Sequence, residues 1–275
     1  MPDIETFHDG EMERRLGCLV SDEEPSVAAF EDSVDLLSWT EIEAIARSGE
    51  LDGEKLYGEE FVLDQLQHSS CNPHAAAEVT MKTLVDDFGI QHFHKLSGTY
   101  LYSIIIGNGP DAGSSLVKSQ ELVMSRGMCL DSTCPSNIIR RSGYDTTKAD
   151  AEALRFRADE CYPAKTMQGL WSGLAKGYHA VVCVQVGGSF SQLDSRWLPG
   201  FSNGRGNHAV SIDGIKWDGG LLGTASNSWR VSWGARGRMR LDIKRLEQPF
   251  DVHTMWLMKG CRYDPQNTPL PGLAQ

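Results

Sequence analysis

The feature that most restricts the fold of this chain is a change of texture near residue 178. Before it, the apolar residues recur at helical spacing. "SWTEIEAIARSGE" carries a capping box at Ser38 and Glu41, a shared face of Trp39, Ile42, Ile45 and Ala46, and a terminator at Gly49. "CNPHAAAEVTMKTLVDDFG", from Cys71, tolerates Pro73 in a first turn and stops at Gly89. "SSLVKSQELVMSRG", "ADAEALRFRA" and "KTMQGLWSGLAKG" add three further helical candidates. Beyond 178, "HAVVCVQV", "NHAVSIDGIKW", "LLGTASNSW", "GRMRLDI" and "HTMWLMKG" are alternating or β-branched runs punctuated by Gly and Asp. Helices first and strands second predict an α+β chain of two lobes, not alternating βαβ units.

Charge divides the chain at another place. Residues 1–60 hold 18 acidic and 4 basic side chains, whereas the remainder is close to neutral. An acidic arm (1–57) therefore precedes a body (58–265) with a helical lobe over 58–175, a β-rich lobe over 176–265 and a tail over 266–275. Phosphate binding needs clustered Lys and Arg, so nucleic acid is not expected as a partner. No apolar run reaches membrane-spanning length, and "MPDIETFHDGEMERRLG" lacks the order of a secretory signal. A cytoplasmic protein is the expectation. The seven cysteines do not form the dense, even framework of a secreted scaffold. Cys129 and Cys134 read as thiols or one local disulfide, and His92 with His94 as surface residues. Neither pair has the further ligands a metal site needs, so no metal or other cofactor is expected.

Cys71 sits at the start of its helix, where unpaired backbone N–H groups favour a thiolate and predict a lowered pKa. A cysteine nucleophile also needs an imidazole oriented by an amide or carboxylate. His74, on the same helix, lacks the facing geometry of a base. "GNHAVSIDG" supplies His208 at the head of a strand, and "ASNSWRVSWGARGRMRL" supplies Asn227. In these residues the chain resembles the papain-like cysteine peptidases. Asn227-Ser228-Trp229, Trp233-Gly234, Gly237 and Arg240 fall at that family's spacing, and His208 follows Cys71 by 137 residues, within its window of about 130 to 150.

The resemblance implies a two-lobed papain-like fold, with the nucleophile helix in one lobe and an antiparallel, barrel-like sheet carrying His and Asn in the other. It implies a catalytic Cys71, His208 and Asn227, with Gln65, six residues before Cys71, as oxyanion-hole donor and Gln67 as a decoy. Trp229 would shield the imidazole–amide bond, Gly113 and Ser114 would pair with substrate backbone, and Ser70 would support the site. The substrate would be a peptide or protein, cleaved at a peptide or isopeptide bond. His68-Ser69 and Asn72 replace the family's Cys-Gly and Trp, and Arg230 replaces a glycine, as in divergent bacterial or phage versions. A structural or assembly protein, for instance in a virion, is the alternative, and a transferase or deamidase with the same triad a third reading. For the arm, packing on the body through the Trp39–Ala46 face or binding of a protein partner is expected ahead of an inhibitory prosegment.

Overall fold

The computed structural model describes residues 5–19, 21–200, 207–247 and 254–263; the expected tail over 266–275 lies outside them. The arm contains β1 (Thr6–His8) and β2 (Glu13–Arg15), then α1 (Phe30–Ser33), α2 (Trp39–Ser48) and α3 (Gly53–Leu56). The body follows with α4 (Cys71–Phe88), α5 (Gly98–Ile106), α6 (Leu116–Ser125), α7 (Thr146–Ala153), β3 (Arg157–Pro163) and α8 (Met167–Ala175). Then come β4 (His179–Val184), β5 (His208–Trp217), β6 (Leu221–Ser226), β7 (Arg238–Leu241), α9 (Ile243–Glu247) and β8 (Met255–Arg262).

Six strands form one antiparallel sheet in the order β3-β8-β4-β5-β6-β7. Every residue of β4 is buried because both faces of the sheet are covered. Val181 and Cys183 join a core with α4, whereas Ala180, Val182 and Val184 join a second core with Trp171 of α8 and Ile42 of α2. The sheet separates the two cores, and α4 is the spine of the first. Its residues from Cys71 to Leu84 are all buried, and its three consecutive alanines let neighbouring elements approach closely.

Two expectations are corrected. The segment 157–175 does not belong to the helical lobe, since β3 pairs with β8 and α8 packs on the sheet's second face. The arm holds more than the one short helix expected, since it carries three helices and a two-stranded hairpin. Its α2 has the expected capping box, with Ser38 N donating to Glu41 Oε2 at 2.8 Å, and ends at Gly49 with φ 71°. Ile42 and Ala46 are buried as the pattern requires, but Trp39, at the first helical position, stays 39% exposed. Residues 51–57 complete the β-rich lobe: Leu51 O accepts from Ile215 N at 2.8 Å, and Gly53 lies so close to Asp213 that a side chain there would collide with its carboxylate.

Charge is also buried at the junction of the lobes. Lys82 of α4, fully enclosed, contacts Asp213 of β5 at 2.8 Å and donates to Ser226 Oγ at 2.9 Å and Ser211 Oγ at 3.2 Å. Arg238 meets both Asp213 oxygens at 2.7 Å. Burial alone would raise the Asp213 pKa, but Arg238 and Lys82 outweigh it and hold the carboxyl ionised. On the same helix Glu78 accepts from Leu63 N at 2.9 Å and Ser211 Oγ at 2.7 Å. Burial dominates there and raises its pKa. This network fixes the register between the helix that begins at Cys71 and the strands that lead to His208 and Asn227.

Candidate active site

Cys71 opens α4 and is fully buried. Its sulfur receives backbone N–H groups from Ala209, the residue after His208, and from Gly17 of the arm. His208 heads β5, opposite Val184 of β4. Its Nε2 lies 2.8 Å from Asn227 Oδ1, and its Nδ1 is buried with no hydrogen-bond partner among the described residues. With the amide oxygen accepting, Nε2 carries the proton and Nδ1 presents its lone pair. The Trp229 ring covers the imidazole at 4.6 Å between centroids, and Phe7 of β1 stacks on Trp229 at 5.6 Å. The aromatic cover keeps water from the His208–Asn227 bond.

Electrostatics here depart from expectation. Burial pushes the Cys71 thiol up to about 11, outweighing the backbone N–H groups that act in the opposite direction. Burial likewise pushes His208 down to about 4, against its bond to Asn227. Thiol and imidazole are both neutral at pH 7 in this closed state. The helix terminus alone does not make a thiolate when the sulfur is sealed from water.

Gln65 stands where the six-residue spacing put it. Its Oε1 accepts from Ser228 Oγ at 2.9 Å, which points Nε2 at His68 O at 2.7 Å and at Arg15 O, in the arm, at 3.2 Å. Gln67 is exposed. Ser228, between Asn227 and Trp229, went unread in the sequence although it orients the Gln65 amide. Asn72 was another miss: its Nδ2 donates to Ser114 O at 2.5 Å and ties the nucleophile helix to the Gly113–Ser114 segment. Where the family's Cys-Gly is replaced, Asp111 clamps the loop, accepting from Ser69 N at 3.0 Å and from the Tyr102 hydroxyl. Those bonds, with one from His68, outweigh burial and hold Asp111 at about 2. The Ser70 hydroxyl is buried with no partner among the described residues. His74 bonds Ser70 O at 2.9 Å and Ser136 Oγ at 3.3 Å.

The arm fills the cleft. Ser114 N donates to Gly17 O at 2.9 Å, Leu19 N donates to Ser114 O at 3.0 Å, and Cys18 N donates to Asn207 O at 3.0 Å. A Cβ at Gly17 would collide with the Ser69 carbonyl, so only glycine passes there, and Gly113 faces it with φ 83°. Cys18 is joined to Cys183 of β4 by a disulfide, whereas Cys71, Cys129, Cys134, Cys161 and Cys261 are free. Residues 14–19 cross the active centre as a strap, while α2 packs on the body.

No family model matches the chain, and no curated protein matches it. Solved structures do. Xylellain, a cysteine protease from Xylella fastidiosa, superposes with a TM-score of 0.64 at 18% identity, covering 89% of this chain and 95% of that one. Digestive procathepsin L 3 of the Tenebrio molitor larval midgut gives 0.60 at 17% identity, over 89% and 76% of the two chains. Procathepsin B S9 from Trypanosoma congolense gives 0.60 at 14% identity, over 89% and 86%. A helical lobe and an antiparallel sheet meeting along the nucleophile helix, with coverage this extensive of cysteine proteases from a bacterium, an insect and a protozoan, give the chain the papain-like two-lobed fold.

Proposed function

We propose that the chain is a cysteine peptidase held latent by its own N-terminal strap. The observation that carries this reading is the His208 imidazole, pinned through Nε2 by Asn227 with its Nδ1 left bare, at the head of the strand whose next N–H, that of Ala209, acts on the Cys71 sulfur. Once the strap leaves, the Cys71 proton passes to Nδ1 and the thiolate sulfur bonds to a peptide carbonyl carbon. The carbonyl electron pair moves onto oxygen, which Gln65 Nε2 and the Cys71 N–H stabilise. Collapse breaks the C–N bond, the leaving amine takes the proton from His208, and a thioester remains. Water then attacks the thioester, giving up its proton to Nδ1, and the C–S bond breaks to release a carboxylic acid and restore the thiol.

The strap resists cleavage in its docked position for a chemical reason. What the strap turns toward the sulfur is the Gly17 N–H, a hydrogen-bond donor. Arg15 O, meanwhile, takes the Gln65 donor that a substrate oxygen would need.

The test is peptide cleavage by the full chain in reducing buffer, with an epoxide-type thiol trap mapped by mass spectrometry. Selective labelling of Cys71 and loss of cleavage in Cys71→Ala are expected. Gln65→Ala should lower kcat by roughly 10² to 10³, and Gln67→Ala should leave it unchanged. Turnover by Cys71→Ala near the wild-type rate would sink the assignment.

A further inference from the structure

We propose that the cleft contains a guanidinium-binding subsite on the leaving-group side of the scissile bond, so that the enzyme prefers substrates with arginine there. This deepens the peptidase reading and rests on it for the word substrate, but the subsite itself stands on separate geometry. Arg14 is fully buried, which is exceptional for an arginine. Its Nη1 donates to Asp64 Oδ1 at 2.7 Å and to Leu66 O at 2.9 Å, and its Nη2 donates to Trp229 O at 3.2 Å. Nε donates to Asp9 Oδ2 at 2.6 Å, but Asp9 belongs to the arm and leaves with it. The other three acceptors belong to the body and remain.

These acceptors are aimed by the backbone. Leu66 has φ 55° and Arg230, directly after Trp229, has φ 65°, left-handed conformations that non-glycine residues rarely adopt. Leu66 N donates to Asp64 Oδ1 at 3.0 Å and so fixes the carboxylate. An isolated antiparallel bridge between Asp64 and Trp229, with Gln65 N donating to Ser228 O at 2.9 Å and Arg230 N to Leu63 O at 3.0 Å, sets the two walls against each other. One carboxylate and two converging carbonyls match a planar guanidinium, which has several donors and no acceptor. An ammonium, a neutral amide or a carboxylate fits them less well.

Position decides the side. Asp64 adjoins the oxyanion donor Gln65, and Trp229 covers His208, the group that hands its proton to the departing amine. The opposite side of the sulfur is marked by Ser114 and Asn207, which bond to Cys18 and Leu19. Arg14 therefore occupies the place of a leaving-group side chain.

Chemical complementation of the full chain tests the subsite without peptide turnover. Arg14→Ala empties it, and millimolar argininamide should then raise the Tm by several degrees while citrullinamide, of similar shape but uncharged, should not. Asp64→Asn added to Arg14→Ala should abolish the rise. Equal response to the two amides would overturn the proposal. The second measurement uses the wild-type chain in reducing buffer with quenched peptides that carry arginine or citrulline on the leaving-group side. A kcat/KM ratio of at least tenfold is expected, falling to near unity in Asp64→Asn, and a wild-type ratio below two overturns the proposal, whether or not Arg14→Ala folds. If complementation succeeds and no peptide is cut, the subsite stands and the peptidase reading falls.

Discussion

The two ends of the strap are held in different ways. At Arg14 the contact is a side chain, a buried guanidinium shared between two carboxylates and two carbonyls. Four residues later the contact is backbone, with Cys18 and Leu19 bonded to Asn207 and Ser114 and covalently locked through Cys183. The first end depends on residue identity and local charge. The second depends on backbone, on the absence of a side chain at Gly17 and on a single sulfur bridge. One end tells which side chain the cleft accepts, and the other decides when the cleft is free.

Opening the covalent end should have the largest effect. With Cys18–Cys183 closed, residues 17–19 cannot move off the sulfur, so a reductant, or Cys18→Ser with Cys183→Ser, should speed epoxide labelling of Cys71 at least a hundredfold. The number reflects a covalent bond replaced by a reversible tethered contact. Equal labelling of oxidised and reduced protein would show that the backbone pairs alone hold this end. The comparison also bears on place, since a reducing cytosol would keep such a bridge open and an oxidising compartment would close it.

Next in size is the charged end. In reduced protein Arg14→Met leaves Asp64 without its partner, and because that carboxylate retains 26% exposure the cost should be about 2 kcal/mol, below the ~3–5 of a fully buried pair. Hydrogen exchange at the Cys18 and Leu19 amides should then accelerate roughly 30-fold, at 1.36 kcal/mol per decade. Unchanged protection would mean that Arg14 is a passenger.

Acid should act on both ends through His208. Its pKa is about 4 in the closed state, against 6.5 for a solvated imidazole, so the open state binds the extra proton. Closure is therefore at full strength above pH 6.5, weakens as pH falls below that value and levels off below pH 4. By pH 5.5 the open fraction should have risen about tenfold. Exchange corrected for its intrinsic pH dependence measures this, and a flat profile would mean that the imidazole stays dry after the strap lifts.

The smallest effect sharpens the contrast. Arg15, adjacent to Arg14, has a side chain 44% exposed and reaches Asp111 only at 3.4 Å. A surface pair of that kind contributes below about 1 kcal/mol. Arg15→Ala should change exchange less than about twofold, since what this residue gives the cleft is its carbonyl.

In the sequence the candidate site residues were easy to pick out and their enclosure was hard. Cys71, His208, Asn227 and Gln65 were singled out from a helix start, a strand start and two spacings; in the structure His208 bonds Asn227 at 2.8 Å and Gln65 bonds Ser228, the next residue, at 2.9 Å. The α+β class and the later strands followed from local alternation. The strap did not, because no periodicity marks a segment whose partners are Ser114, Asn207, Gln65 and Cys183. The disulfide spans 165 residues and has no local signature. Nothing local marks Arg14 as buried, since its partners Asp64, Leu66 and Trp229 lie at least 50 residues away. The direction of the Cys71 pKa was misread for the same reason, since burial by a distant segment outweighs the local helix terminus.

The link between positions 18 and 183 also sets an order of events during synthesis. Cys18 is made early and must wait for a partner 165 residues later, roughly 10 to 30 s at usual translation rates. Even then β4 lacks both neighbours, because β5 follows it and β8 is the last strand. His208 and Asn227 are made only after Cys183. The nascent chain therefore never carries a complete triad before the bolt for it exists, and the step that finishes the sheet is also the step that lets the bolt slide home.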